Sequence, residues 1–133
     1  MVKYAACYPG QGAQKPRMAL DFYSRSSAVR ELFAMASEES DRDLYQLLET
    51  ADEALLQQTE ITQTVVTLAN LSAATVLKER GIRPECHAGF SLGELSAYAS
   101  AQVLSPEELF KVVARRGKLM AKASQEAASR YGR

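Results

Sequence analysis

Residues 61–80, ITQTVVTLANLSAATVLKER, carry no charge before Lys78. On a helical wheel Ile61, Val65, Val66, Leu68, Leu71, Val76 and Leu77 lie nearly all round the axis. A helix of this kind has no solvent face, so the rest of the chain must be arranged around it. With 133 residues the chain has the length of one ordinary domain and can bury a single core. Gly81 ends the helix, and Ile82-Arg83-Pro84 turns the chain away from it.

The segments on either side set the fold class. KYAACY, residues 3–8, is a compact apolar run stopped by Pro9-Gly10, which reads as a buried strand. CHAGF, residues 86–90, reads as a second short strand, followed by a helix from Leu92 to about Gln102. Between them, residues 15–58 are mixed and helical in short pieces. AVRELFAMA aligns Val29, Leu32, Phe33 and Ala36 on one face, and LYQLLETADEALLQQT forms two more short helices. Ser105-Pro106-Glu107-Glu108 is a helix start, with Ser at the cap, Pro at the first position and Glu three residues after the cap. That helix should run past Met120, and SQEAASRYGR beyond it is polar and weakly patterned. The order of strand, helices, strand and helix predicts an α/β layered fold with few strands. Two strands make a poor sheet, and their open edges would lack cover.

Composition narrows the partners. Apolar residues make up 47% and charged residues 24%, as in soluble globular proteins. Sixteen basic and sixteen acidic residues cancel, which leaves no electrostatic case for nucleic acid or an anionic membrane. Cys7 and Cys86 sit in short apolar runs and suit buried thiols in a reducing compartment. Pro9 and Gly10 cut the N-terminal apolar run too short for a signal peptide, and no run approaches membrane-spanning length. The cytoplasm is the expected location.

GFSLG, residues 89–93, fits G-x-S-x-G between a predicted strand and a predicted helix. Such a nucleophile elbow holds a serine Oγ at the top of a sheet, with glycines where side chains would clash. Ser91 would also stand at a helix N-terminus, which favours developing negative charge. The alternative is a glycine-rich turn in which Ser91 merely caps the helix. A nucleophilic serine needs a base, and His87 is the only histidine. It lies four residues upstream on the same strand, roughly 13 Å away at ordinary strand rise. A base must come within about 3 Å, so His87 is read as structural. Either Ser91 is not catalytic or its base comes from outside this chain.

In the helix after Ser105, Leu109, Val112, Val113, Arg116, Leu119 and Met120 occupy one stripe. Arg116 interrupts it, whereas Arg115 points about 100° away and is a solvated charge. A guanidinium on an apolar face needs an anionic partner and fits a carboxylate bidentately. The pattern alone leaves three options for Arg116: a ligand clamp, an ion pair with Glu94, or snorkelling to the surface. The loop YPGQGAQ, Tyr8 to Gln14, is rich in glycine and amides and has no charge. Lys15 stands where the dinucleotide fingerprint needs a third glycine, and the phosphate-loop ending GK[ST] is missing. An oxyanion hole needs the N–H after the nucleophile and one from a neighbouring loop, roles that Leu92 and Gln11 would fill. The loop is then uncharged because its backbone does the binding.

YPGQGAQ, TEITQ, GFSLGELSAY and RRGKLM occur in this order in malonyl-CoA:acyl carrier protein transacylases, and the chain resembles the N-terminal half of that family from Tyr8 to Met120. Acyltransferase domains of polyketide synthases share the pattern. The resemblance implies that Ser91 is the acyl-accepting nucleophile, that the Gln11 and Leu92 amides form the oxyanion hole, that Arg116 clamps the malonyl carboxylate and that Gln63 lines the site. It implies ping-pong malonyl transfer from coenzyme A to acyl carrier protein in fatty acid synthesis. No metal or other cofactor is implied, because the coenzyme A thioester and the phosphopantetheine carrier are substrates. The implied fold is an α/β-hydrolase-like large subdomain with few parallel strands flanked by helices, of which residues 1–133 form the N-terminal half. The family's ferredoxin-like subdomain, catalytic histidine and remaining strands would lie beyond Arg133. A second chain supplying that half, or self-association, is therefore expected, and the isolated chain should be inactive. Two residues depart from the family. Phe90 replaces a frequent histidine, which bears on fine tuning, and Thr64 replaces a common proline. The alternatives are a polyketide-type acyltransferase fragment and a non-catalytic half that binds a partner chain.

Overall fold

The computed structural model describes residues 1–132. Strand β1 (Ala5–Tyr8) is followed by α1 (Leu20–Arg25), α2 (Ser27–Ser40), α3 (Leu44–Thr50), α4 (Glu53–Leu56) and the long α5 (Thr59–Glu79). Then come β2 (Cys86–Gly89), α6 (Leu92–Ser100) and α7 (Pro106–Tyr131). The strands pair in parallel, Ala5 opposite Cys86 and Tyr8 opposite Gly89.

Helix α5 is the centre, packed mainly against α7 and then α2 and α6. Its residues from Ile61 to Leu68 are all buried, polar ones included. Thr62, Thr67 and Ser72 satisfy their hydroxyls on carbonyls of the preceding turn, which lets them enter the core without an unpaired donor. Around it pack Val29, Leu32 and Phe33 of α2, Leu44 and Leu48 of α3, and Leu109, Phe110 and Val113 of α7. Helix ends follow local chemistry. Ser26, Asp43 and Asp52 cap α2, α3 and α4, and Ser105 with Glu108 forms a complete capping box on α7. Gly81, at φ 81°, takes the left-handed conformation that ends α5.

Four expectations change. The strands are shorter than residues 3–8 and 86–90, and apart from Tyr8 they are not buried. Ala5, Cys7, Cys86 and Ala88 share one face and are all exposed, so the two cysteines are accessible thiols. Parallel strands are buried only when helices or further strands cover both faces, and here the open face has no neighbour among the described residues. The cover of α5 fails beyond Ser72, and Leu77 is 42% exposed. On α7 the buried stripe is Leu109, Phe110, Val113, Ala114 and Gly117, while Val112, Leu119 and Met120 are exposed. The helix turns a narrower face to α5 than its apolar sequence suggests. The polar stretch after Met120 is helical through Tyr131, carried along by an uninterrupted backbone ladder.

Candidate functional site

Ser91 sits between β2 and α6 with φ 52° and ψ −111°. That is outside the left-handed helical well as well as the ordinary regions, and such a backbone costs on the order of 1–3 kcal/mol. Its side chain makes no capping hydrogen bond, which removes the reading of Ser91 as a simple cap. The turn is pinned by Gly93 N–H on the Phe90 carbonyl (2.9 Å) and Glu94 N–H on the Ser91 carbonyl (3.0 Å). The two glycines are needed for space. A Cβ on Gly89 would lie 2.1 Å from the Gly93 carbonyl carbon, and one on Gly93 would lie 2.0 Å from the Tyr8 carbonyl oxygen. Strand, turn and helix thus touch backbone to backbone, and Ser91 is left exposed at the crest.

The loop after β1 lies against this turn. A Cβ on Gly10 would meet the Phe90 carbonyl oxygen at 2.7 Å and the Leu92 nitrogen at 3.5 Å. The loop is closed by Ala13 N–H on the Gly10 carbonyl and by Gly12 N–H on Gln14 Oε1. Among the described residues neither the Gln11 nor the Leu92 N–H has a hydrogen-bond acceptor. Two free donors on adjoining segments are what an oxyanion hole requires.

Arg116, half-buried on α7, donates through Nη1 to Gln63 Oε1, and Gln63 Nε2 donates to Gln11 Oε1 at 3.1 Å. Arginine only donates, so this chain orients the buried Gln63 amide. Glu94, the ion-pair option for Arg116, is engaged elsewhere. It accepts from the Tyr98 hydroxyl at 3.1 Å, and that bond and charge raise the Tyr98 pKa. Arg116 can reach Gln63 because Gly117 lets α7 approach α5 closely, a Cβ there lying 3.1 Å from Glu60 Cα. Gln11, Gln63, Ser91, Leu92 and Arg116 are therefore linked by direct bonds or adjoining backbone. Arg115 is exposed, as expected, and so is Phe90 at 78%. Thr64 is buried, with its hydroxyl on the Glu60 carbonyl.

His87 is accounted for by a structural contact. Its Nδ1 and the Tyr8 hydroxyl share a hydrogen bond of 3.1 Å, and the two rings stack 6.0 Å apart. Both rings line a cleft of about 1020 Å³ between β1, the C-terminal half of α5 and the end of α6. None of Gln11, Gln63, Ser91 and Arg116 lines it, so this cleft is separate from the candidate site. Among the described residues no group of three or more histidine, cysteine or acidic side chains could hold a metal, and no helix is long and apolar enough to cross a membrane.

Residues 7–130 match the acyl transferase domain family. The chain belongs to that family. A malonyl CoA-acyl carrier protein transacylase of Staphylococcus aureus is 39% identical over 123 residues, covering 92% of this chain and 39% of the relative. The crystal structure of an acyl carrier protein S-malonyltransferase from Vibrio cholerae superposes with a TM-score of 0.83 at 36% identity, covering 92% of this chain and 40% of that one. A malonyl-transacylase in complex with a type II PKS acyl-carrier protein matches with the same TM-score at 35% identity, covering 92% of this chain and 40% of that one. This acyltransferase chain therefore spans about 40% of the length of the relatives it matches.

One polar contact beside the candidate site has no counterpart among the sequence motifs. Asn70, within the apolar run of α5, bonds to the loop carrying Gln11 and to α6. Its only signal was an amide where a hydrophobic residue would be cheaper to bury.

Proposed function

We propose that this chain is the nucleophile-bearing part of a malonyl-CoA:acyl carrier protein transacylase. The observation that carries the reading is the strained, uncapped Ser91 beside two free amides, with Arg116 tied through Gln63 to the same loop. Ser91 Oγ attacks the thioester carbonyl of malonyl-CoA while the carbonyl oxygen becomes the oxyanion between the Gln11 and Leu92 amides. The C–S bond breaks, the coenzyme A thiol leaves with the proton taken from Ser91, and a malonyl ester remains. In the second half-reaction the phosphopantetheine thiol of the carrier protein attacks the ester and the proton returns to Ser91. The planar fork of Arg116 suits the free malonyl carboxylate, and leaving it unpaired disfavours uncharged acyl groups.

His87 cannot be the base, so the base belongs to polypeptide outside residues 1–132. Two features support the uncovered sheet as the place where that polypeptide packs. The open face carries no charged side chain, only Ala5, Cys7, Cys86 and Ala88. Ser100 Oγ, among the described residues the one buried side-chain polar atom without a partner, belongs to a residue lining the adjoining cleft.

Intact-mass analysis after incubation with malonyl-CoA tests the reading. A malonyl ester should form on Ser91, slowly with the chain alone and fast when a polypeptide matching the rest of the relatives' length is added. Ser91→Ala should abolish it, and Arg116→Ala should remove the preference for malonyl over acetyl, since each charged hydrogen bond is worth about 1.5–3 kcal/mol. Absence of the ester in the complemented protein would rule the function out. An unchanged malonyl preference in Arg116→Ala would make Arg116 structural.

A further inference from the structure

Asn70 is 7% exposed and stands midway along α5. Its Nδ2 donates to the Pro9 carbonyl at 3.0 Å and to Ser96 Oγ at 3.1 Å. A backbone carbonyl can only accept, so the orientation of this amide is determined by its partner. Pro9 lies two residues before Gln11, and Ser96 lies one helical turn after Leu92. A single buried side chain is thus bonded to both segments that carry the free amides.

The contact between those segments is otherwise bare backbone. Gly10 rests on the Phe90 carbonyl, and Gly93 rests on the Tyr8 and Pro9 carbonyls. Glycines allow that approach, and one backbone bond, Phe90 N–H on the Tyr8 carbonyl at 3.1 Å, joins the two segments at the strand ends. Beyond that bond, Asn70 of α5 is the side chain that reaches both Pro9 and Ser96. Burying an amide is costly unless it is hydrogen-bonded, and here both bonds of Nδ2 lead to the loop and the elbow helix.

We propose that Asn70 is a positioning residue for acyl transfer, setting the separation of the Gln11 and Leu92 amides from behind the site. It never touches the substrate. The inference rests on the acyl-transfer reading above. Misplacement by about 1 Å can cost on the order of 10²-fold in rate, because hydrogen bonds to a developing oxyanion depend steeply on geometry.

The test uses the isotopically labelled chain with Asn70→Ala, Asn70→Asp and Ser96→Ala. Asn70→Asp is the sharpest, since it keeps size and shape but sets an acceptor against the Pro9 carbonyl. In both Asn70 variants the Gln11 and Leu92 amide resonances should move, while those of Leu109 and Phe110, in the core behind, stay. Ester formation on Ser91 at saturating malonyl-CoA should slow by about tenfold to a hundredfold with the half-saturating concentration unchanged, because the Arg116–Gln63 bond is intact. Ser96→Ala, which removes one of the two acceptors, should give a smaller change in the same resonances. Unmoved Gln11 and Leu92 resonances in a folded Asn70→Asp protein would overturn the proposal, as would a loss seen only in half-saturation. Should Asn70→Ala fail to fold, Asn70→Asp and Ser96→Ala decide the matter alone. If the unaltered chain forms no ester even when complemented, the functional reading falls, and the amide resonances still decide whether Asn70 sets the geometry.

Discussion

The N-terminal half of α5 and strand β1 are both apolar segments near the middle of the molecule, yet they live in opposite surroundings. From Ile61 to Leu68 the helix is enclosed by α2, α6 and α7, and no residue is more than 2% exposed. Strand β1 has β2 on one edge, α6 near its end, and solvent over the face that carries Ala5 and Cys7. The helix satisfies its own backbone and needs only side-chain cover, which nearby segments supply. A strand needs a hydrogen-bonding neighbour on each edge and a layer on each face. Residues 1–132 complete the helical layer and leave the sheet layer open. The proposed site lies on the seam between the two.

The largest expected effect exploits this contrast directly. Backbone amides from Val65 to Leu71 should exchange with solvent only through global unfolding, whereas the outer edges of β1 and β2 should exchange without it. In the same native chain Cys7 and Cys86 should both react readily with a thiol reagent. A polypeptide matching the remaining length of the relatives should slow strand exchange and protect both thiols. Slow exchange in both strands of a monodisperse monomer would refute the contrast.

Substitutions should follow the same division. Phe110→Ala, on the enclosed side, should cost about 3–5 kcal/mol in denaturant unfolding, through lost transfer energy and the cavity left. Cys7→Ser, on the open face, should fall within about 0.5 kcal/mol. Equal costs would mean that the sheet is covered in solution, by self-association for example, which light scattering reads separately.

Gly117→Ala probes the seam. The added methyl would stand 3.1 Å from Glu60 Cα and 3.4 Å from Gln63 Cβ, so α7 must move out by a few tenths of an ångström. Overpacking of this kind costs about 1–3 kcal/mol. It should also loosen the Arg116–Gln63 bond and lower the preference for malonyl over acetyl in the complemented protein. A stability loss with unchanged preference would separate the helix crossing from the clamp.

The smallest effect is at the exposed start of α7. Glu108 has its pKa lowered mainly by the Ser105 backbone N–H it accepts, and also by the Ser105 side chain. A carboxyl depressed in the folded state contributes stability above its ordinary value near 4.5 and loses it as pH falls through the lowered value. The Ser105 amide resonance should therefore titrate in acid, while the amides of Val65 to Leu71 do not follow it. In Glu108→Gln the titration should vanish and the capping box remain, because the amide oxygen still accepts.

Much of the site was legible in local pattern. G-x-S-x-G placed Ser91 on its turn, the uncharged loop pointed to backbone donors at Gln11, and a lone charge in an apolar stripe singled out Arg116. Each signal rests on a short-range rule of spacing or backbone space. What escaped depended on distant segments. The bond from Gln63 to Gln11 spans 52 residues and that from Asn70 to Pro9 spans 61, and no periodicity encodes either. The buried stripe of α7 is narrower than its apolar spacing for a related reason. Helical spacing says which residues share a face, but only the crossing with α5 says how wide that face is.

By itself the sequence determined most of the helices, the start of α7 and the end of α5, the presence of two short strands, the elbow and the uncharged loop. These follow from propensity, capping and steric space within a few residues. Tertiary structure alone decided which apolar residues are covered. It left Cys7 and Cys86 in solvent, joined Arg116 to Gln63 instead of Glu94, and gave His87 to Tyr8. Burial and pairing depend on which surfaces meet, and a surface is shared between segments that the chain keeps far apart.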